Sequence, residues 1–181
     1  MIHLTNDAVQ NKAADYGKFE KGNKRSYNEF QKYLDTLPQE GLTANLNFMR
    51  DAYPKMRQLT IDAIRATYGK IDPKHREFGF ELFGLDFMID ENMRVFLLEI
   101  NTNPCLDATC PVLARIIPNV VDNALRVALD PVFPPPTKVN WTNTKKHLIP
   151  DSAFVNNKFE MVFDECTEGK QLRQLHCNIN A

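Results

Sequence analysis

Three oxygen-bearing side chains, Asp86, Glu99 and Asn101, lie within the apolar stretch of residues 80–104. Asp86 falls in one apolar run, and Glu99 and Asn101 fall in the next, with the polar residues 90–92 between the runs. Two carboxylates and an amide oxygen are a hard-oxygen donor set of the kind that suits Mg²⁺ bridging nucleotide phosphates. The same residues are compatible with an ordinary hairpin whose acids lie at its solvated rim.

The position of the polar cluster predicts two buried strands joined by a tight hairpin turn, and side chains alternate between the faces of each strand. A two-residue loop at Glu91-Asn92 would place Asp86 opposite Leu97, and a four-residue loop would place it opposite Glu99. Either even register puts Asp86, Glu99 and Asn101 on one face, whereas a three- or five-residue loop would send Asp86 to the other. We predict an even register, with a cation that offsets the cost of burying two like charges.

Helical patterns precede the hairpin. Ser26 and Glu29 are spaced as a capping box before apolar residues at helical spacing. Residues 46–68 are also predicted to be mostly helical, with Pro54 as a break or first-turn residue and Gly69 as the C-cap. These apolar stripes are typical of a hydrophobic core.

A broad apolar stripe over residues 113–128 predicts another helix, with a kink at Pro118. The tail beyond it contains one candidate strand, residues 159–163, and is otherwise expected to be a poorly ordered appendage. Helices around a hairpin predict an α+β fold in which an antiparallel sheet packs against helices.

The bulk composition indicates a globular chain. Of its 181 residues, 43% are hydrophobic and 25% are charged, a balance typical of one soluble domain. The net charge of −1 provides no field for a polyanion, so nucleic acid is not an expected partner. The sequence has no apolar run long enough to span a bilayer and no secretory leader, which predicts a cytoplasmic protein without membrane insertion. Its four cysteines lack CxxC spacing and are expected to be reduced.

The stretch FGLDFMID…VFLLEINTNP resembles the C-terminal half of the ATP-grasp ligases of the tubulin–tyrosine ligase-like family. That family's signature is a D-F-M/L-V/I-D strand followed by a W/F-L-L/I-E-V/I-N strand, and its Asp, Glu and Asn hold the Mg²⁺ ions of ATP. By position, the resemblance implies that Asp86, Glu99 and Asn101 are metal ligands. It also implies that Glu99 is catalytic, because the matching residue reaches both metal ions.

A second motif, His3-Leu4-Thr5-Asn6, resembles the family's H-L-T-N, whose Thr-Asn pair contacts ATP. The resemblance therefore implies that Thr5 and Asn6 bind ATP. It extends over most of residues 2–136, and residues 1–136 are expected to form a partial ATP-grasp ligase domain without its N-terminal lobe. Residues 137–181 are expected to be a C-terminal extension.

The resemblance implies an ATP-dependent carboxylate–amine ligase that adds glutamate, glycine or tyrosine to tubulin tails through an acyl phosphate. Its expected cofactors are ATP and Mg²⁺, its partners are tubulin or microtubules and a free amino acid, and its location is the cytoskeleton, including cilia. Two departures leave the amino acid open: Ala8 replaces an aromatic residue, and Arg115 is the nearest candidate for a downstream Lys. The alternative is a non-catalytic, truncated ligase-fold module that binds tubulin or microtubules.

Overall fold

The computed structural model describes residues 6–38, 41, 45–74, 76, 78–133 and 157–170. In these ranges helices pack against one face of a β-hairpin, which confirms the predicted α+β class. The elements are α1 (Asp7–Gln10), a 3₁₀ helix (Lys21–Asn23), α2 (Tyr27–Asp35), α3 (Phe48–Asp51), α4 (Tyr53–Ile71), β1 (Gly84–Ile89), β2 (Val95–Asn101) and α5 (Pro111–Ala128). None of the described helices is both long and apolar enough to cross a membrane.

The start of α2 is fixed by the predicted capping box. The Ser26 hydroxyl accepts a hydrogen bond from the Glu29 N–H (3.3 Å), and the Glu29 carboxylate accepts one from the Ser26 N–H (2.7 Å). This reciprocal pair satisfies two backbone donors at the helix start. The helix then turns the side chain of Leu34 into the core.

The segment predicted as mostly helical is divided into α3 and α4 at Ala52, whose side chain is fully buried. Pro54 lies in the first turn of α4, one of its two predicted roles. The prediction of Gly69 as the C-cap is wrong, because α4 continues to Ile71. Glycine inside a helix costs only about 1 kcal/mol, which the packing of the adjacent buried Tyr68 offsets.

The core lies where α2, α3 and α4 meet the hairpin. Its buried residues are Leu34, Phe48, Ala52 and Met93. Six half-buried residues pack around them: Phe30, Leu37, Leu46, Met56, Ile89 and Val95. The Lys55 side chain, near the start of α4, also donates a hydrogen bond to the Met93 carbonyl (2.7 Å). The turn of the hairpin is therefore held against the helices.

The prediction of two buried strands is wrong for one face of the hairpin. Met88, Phe96 and Leu98 are 40%, 48% and 56% exposed, and Asp86 and Glu99 are exposed as well. Apolar residues on both faces of a strand predict cover on both sides. The described helices cover only the face that carries Ile89 and Val95. The predicted cost of burying two like charges therefore does not arise.

The predicted strand at 159–163 is also wrong, because these residues are irregular. Residues 157–170, the C-terminal strap, instead pack against α4 and α5. Asn123 of α5 accepts from the Lys158 N–H (3.0 Å), and the Phe163 ring lies 5.2 Å from that of Tyr68. This part of the tail is thus no loose appendage, and residues 137–156 and 171–181 lie outside the described ranges.

Candidate metal site

The turn of the hairpin is organised by one carboxylate. Asp90 accepts hydrogen bonds from the N–H groups of Asn92 (3.0 Å) and Arg94 (2.8 Å) and from the Arg94 guanidinium (2.6 Å). Desolvation acts to raise the pKa of Asp90, but the bonds from Arg94 and Asn92 outweigh it and lower that pKa below its ordinary value. The Met93 N–H bonds back to the Asp90 carbonyl (3.0 Å), which closes the turn.

The loop has an odd number of residues, so the predicted even register is wrong for the half of the hairpin nearest the turn. Ile89 pairs with Val95, which leaves five residues between the paired positions. A regular strand would then place Asp86 on the face away from Glu99. The hairpin avoids this through a β-bulge, at which Leu98 has no partner on β1. Beyond the bulge, Asp86 lies directly opposite Glu99.

The predicted convergence of the three side chains is confirmed. The Asn101 Nδ2 group donates to the Asp86 Oδ2 atom at 3.3 Å and to the Glu99 Oε1 atom at 3.3 Å. One amide group therefore bridges two carboxylates on a single face of the sheet. A half-turn of that amide would present its oxygen, in place of its nitrogen, to a cation held by the carboxylates.

A close backbone contact holds the end of this site. Gly84 pairs with Asn101 across the strands, and a Cβ atom at Gly84 would lie 2.9 Å from the Pro104 Cβ atom. Real Cβ atoms do not come so close, so Gly84 allows the segment after β2 to fold over the end of β1. Pro104 therefore lies beside the strand end at which Gly84 pairs with Asn101.

The donor set fits a hard divalent cation. Mg²⁺ is typically held by one or two carboxylates and keeps water or phosphate oxygens at its other positions. Asp86 and Glu99 supply the carboxylates, and Asn101 supplies an amide. Within the described ranges, no group of three or more His, Cys, Asp or Glu side chains is placed to hold a metal ion. The metal role of the hairpin therefore depends on the amide together with the carboxylate pair, and it stays a prediction.

Of the two residues expected to contact ATP, only Asn6 lies within the described residues. Thr5 lies outside the described residues. Asn6 caps α1, where its Oδ1 atom accepts from the Ala8 N–H (2.9 Å), and no hydrogen bond among the described residues links it to the hairpin carboxylates. Their nucleotide contacts stay a prediction.

Sequence reasoning missed a pocket beside β1. Its volume is about 340 Å³, and it is lined by Arg25 and Tyr27 at the start of α2, by Phe48, and by β1 residues that include Asp86. The sequence analysis proposed no site residue at Arg25 or Tyr27. An arginine two residues before an aromatic residue at a helix start was the available signal.

Comparisons with known proteins agree with the motifs of the hairpin. The model of the tubulin-tyrosine ligase family matches residues 1–140. "Protein polyglycylase TTLL10" of Macaca fascicularis is 33% identical over 135 residues, and "Tubulin glycylase 3A" of Drosophila melanogaster is 35% identical over 133. "Inactive polyglycylase TTLL10" of Homo sapiens is 35% identical over 130 residues.

Each of these matches covers 71% of the chain but only a small part of the relative, 21%, 13% and 19% respectively. The chain thus spans about a fifth or less of the length of the three relatives. The matched region includes the whole hairpin and all three of its converging side chains. The chain belongs to the tubulin-tyrosine ligase family.

Proposed function

We propose that this chain carries the metal-binding half of an ATP-dependent carboxylate–amine ligase that adds an amino acid to tubulin tails. The observation that carries the proposal is the placement of Asp86 directly across from Glu99, with Asn101 bridging both carboxylates. Membership of the family supports the ligase activity. The names of the relatives, which include glycylases that act on tubulin, support the substrate and make glycine the first amino acid to test.

The proposed reaction has two transfers. An acceptor carboxylate attacks the γ-phosphorus of ATP, and ADP leaves, which produces an acyl phosphate. The amine of the incoming amino acid then attacks the acyl carbon, phosphate leaves, and an amide bond forms. Neither transfer requires a side-chain nucleophile, so exposed Cys105, close to the hairpin in sequence, has no covalent role.

The chain's own contribution is to hold and orient charge. The carboxylates of Asp86 and Glu99 and the amide oxygen of Asn101 would hold Mg²⁺, and Thr5 and Asn6 would contact ATP. When bound, the cation neutralises charge that develops on the transferring phosphoryl group. Among these residues, Glu99 is the one we propose as catalytic.

Ligation is measured with purified tubulin, ATP, Mg²⁺ and labelled glycine, glutamate or tyrosine in parallel. The 181-residue chain is assayed alone and joined to the preceding region of a relative, since it matches only a small share of each relative. We expect the joined protein to incorporate glycine, and Glu99→Gln to lower the rate on the order of a hundredfold. Failure to incorporate any of the three amino acids, or undiminished ligation by the variant, would contradict the proposal.

A second function is a non-catalytic ligase-fold module that binds tubulin or microtubules. One specific finding favours it, because a relative at 35% identity is named an inactive polyglycylase. Co-sedimentation with microtubules separates the two functions. If the joined protein incorporates no amino acid and Glu99→Gln leaves its binding to microtubules unchanged, the results would favour the non-catalytic module.

A further inference from the structure

The C-terminal strap, residues 157–170, connects two helices that lie far apart in the sequence. At its start, the Asn157 side chain donates to the Asn123 carbonyl of α5 at 2.9 Å. The Lys158 N–H donates to the Asn123 side chain at 3.0 Å. The strap then continues along α4 through side-chain contacts, so it joins α5 to α4.

The residues of α4 that meet the strap form one stripe along the helix. Arg57, Arg65 and Tyr68 all contact the strap, and their spacing of eight and three residues places them on one side of a helix. Ile61 lies between the two arginines on the same side. Ile61 and Tyr68 are each 7% exposed, so the stripe combines two arginines with two buried apolar side chains.

Two ion pairs hold the strap on this stripe. The Arg57 Nε atom donates to the Glu160 carboxylate at 2.7 Å. Arg65 donates to the Glu168 carboxylate through both its Nε atom, at 3.1 Å, and its Nη2 atom. All four side chains are between 35% and 52% exposed, so solvent and salt reach both pairs.

The strap and α4 also carry opposite net charge. Residues 157–170 contain four acidic residues and two lysines, which gives a net charge of −2. Helix α4 contains four basic residues and one aspartate, which gives a net charge of +3. Attraction between these exposed charges decreases as salt is added, because the screening length falls from about 30 Å at 0.01 M to about 8 Å at 0.15 M.

Apolar burial contributes little to the attachment of the strap. Of the strap residues only Gly169 is buried, and Met161 is 59% exposed. The main apolar contact is the Phe163 ring, whose centroid lies 5.2 Å from that of Tyr68. The Tyr68 hydroxyl lies 3.4 Å from the Gly169 carbonyl oxygen, longer than a strong hydrogen bond. The two ion pairs are therefore a large part of what holds the strap closed.

The contacts that hold α4 to the core lie at its other end. Ala52 and Met56 belong to the core cluster, and the Lys55 side chain donates to the turn of the hairpin. Tyr68 lies about three turns farther along the helix. Release of the strap would therefore leave the core contacts of α4 in place.

We propose that the C-terminal strap is a releasable cover of α4 that opens as ionic strength rises, while the helices and the hairpin stay folded. In the closed state Glu160 and Glu168 pair with the two arginines, and Tyr68 is buried. In the open state α4 presents both arginines beside an exposed tyrosine. The strap lies beyond the family-matched residues 1–140, whereas α4 lies within them. The inference does not rest on the proposed ligase, because the strap shares no residue with the candidate metal site.

The test is amide hydrogen exchange of the 181-residue chain by nuclear magnetic resonance, at about 0.02 M and about 0.5 M NaCl. The probes are the N–H groups of Glu168 and Gly169, which donate to carbonyls within the strap. A single helical turn is not stable alone, so these hydrogen bonds should persist only while the strap is attached. High salt should lower their protection about fivefold. The protection of the Met56 N–H, which bonds to the Ala52 carbonyl in the core, should stay unchanged.

Two variants separate charge from packing. Arg65→Gln should lower the protection of the strap about fivefold at low salt but hardly at high salt, because salt already screens the pair. Gly169→Ala should lower it at both salt concentrations, because a Cβ atom there would lie 2.8 Å from the Tyr68 hydroxyl oxygen. Arg126→Gln is the matched control, since its ion pair with Asp122 lies within α5, and it should have no effect on the strap.

Three results would overturn the proposal. Equal protection of strap and core amides would show that the strap opens only when the whole chain unfolds. Absence of protection in the parent at low salt would show that the strap is not held closed. A salt dependence that Arg65→Gln leaves unchanged, or that Arg126→Gln reduces equally, would remove the ion pair from the opening step. The core amides report global unfolding of each variant, which separates loss of the fold from release of the strap.

Discussion

Substitution of Glu99 by Gln should lower the affinity of this chain for a divalent cation by about thirtyfold. The variant keeps the size of the side chain and removes one of the two charges opposed across the hairpin. Because both carboxylates are exposed, the appropriate dielectric constant is close to that of water. A charge of +2 about 4 Å from one carboxylate then contributes about 2 kcal/mol to binding, which corresponds to an affinity change of about thirtyfold.

The assay is a titration with Mn²⁺, which broadens nuclear magnetic resonance signals close to it, followed by displacement with Mg²⁺. The side-chain amide signals of Asn101 should be broadened in the parent at lower Mn²⁺ concentration than in the variant. Glu91→Gln is the matched control, because Glu91 is exposed on the turn and takes no part in the hydrogen bonds of the site. Equal affinities of the parent and Glu99→Gln, or an equal loss in Glu91→Gln, would refute the metal role of Glu99. The Glu99 variant should also melt at or slightly above the parent temperature without metal, because it relieves repulsion with Asp86.

Three further outcomes are expected. The 181-residue chain alone should bind Mg-ATP with a dissociation constant above the micromolar range, because the described part offers few nucleotide contacts to offset the entropy of association. Calorimetric titration measures this constant, and a micromolar value would contradict the prediction. Hydrogen bonds from Arg50 and from the Asn47 backbone lower the pKa of Asp51 to about 2. The ionised Asp51 carboxylate should stabilise the fold by about 1 kcal/mol after solvent screening, an effect that is complete above pH 4 and lost as the pH falls toward 2. Acid unfolding of Asp51→Asn should lack this pH-dependent component. Phe163→Ala should destabilise the fold by about 1–2 kcal/mol in urea unfolding, because it loses the contact with Tyr68. Met161→Ala, at a position that is 59% exposed, should have little effect. Equal effects of the two variants would contradict the packing of the C-terminal strap.

Local signals predicted the parts of the fold that short-range chemistry determines. The capping box at Ser26 and Glu29 is complete within four residues, and it forms as expected. Gly69 carries an equally local signal for a helix end, yet α4 continues past it. The difference lies in the tertiary contacts of the neighbouring Tyr68, which is buried and also touches the C-terminal strap. Contacts about a hundred residues distant in sequence leave no local pattern from which to predict them.

The two faces of the hairpin show a similar limit to what the sequence alone can predict. Both strands carry apolar side chains on each face, a pattern that predicts burial on both sides. Met88 and Phe96 are exposed because the described helices pack on the opposite face only. An exposed apolar face of this kind is unusual, and it lies beside the carboxylate pair. The sequence therefore predicted the character of the strands correctly but not which of their faces the fold covers.

The candidate site shows how two deviations from a regular hairpin can cancel. Sequence preference places the left-handed residue of a short turn at Asn92, whereas the structure places it at Met93, with φ of 55°. A methionine adopts this conformation here because its side chain is buried in the core and its carbonyl accepts from Lys55. The resulting odd loop would separate Asp86 from Glu99, and the bulge at Leu98 brings them together again. Neither deviation alone would leave the two carboxylates on one face, so with this odd loop a metal site depends on the bulge as well.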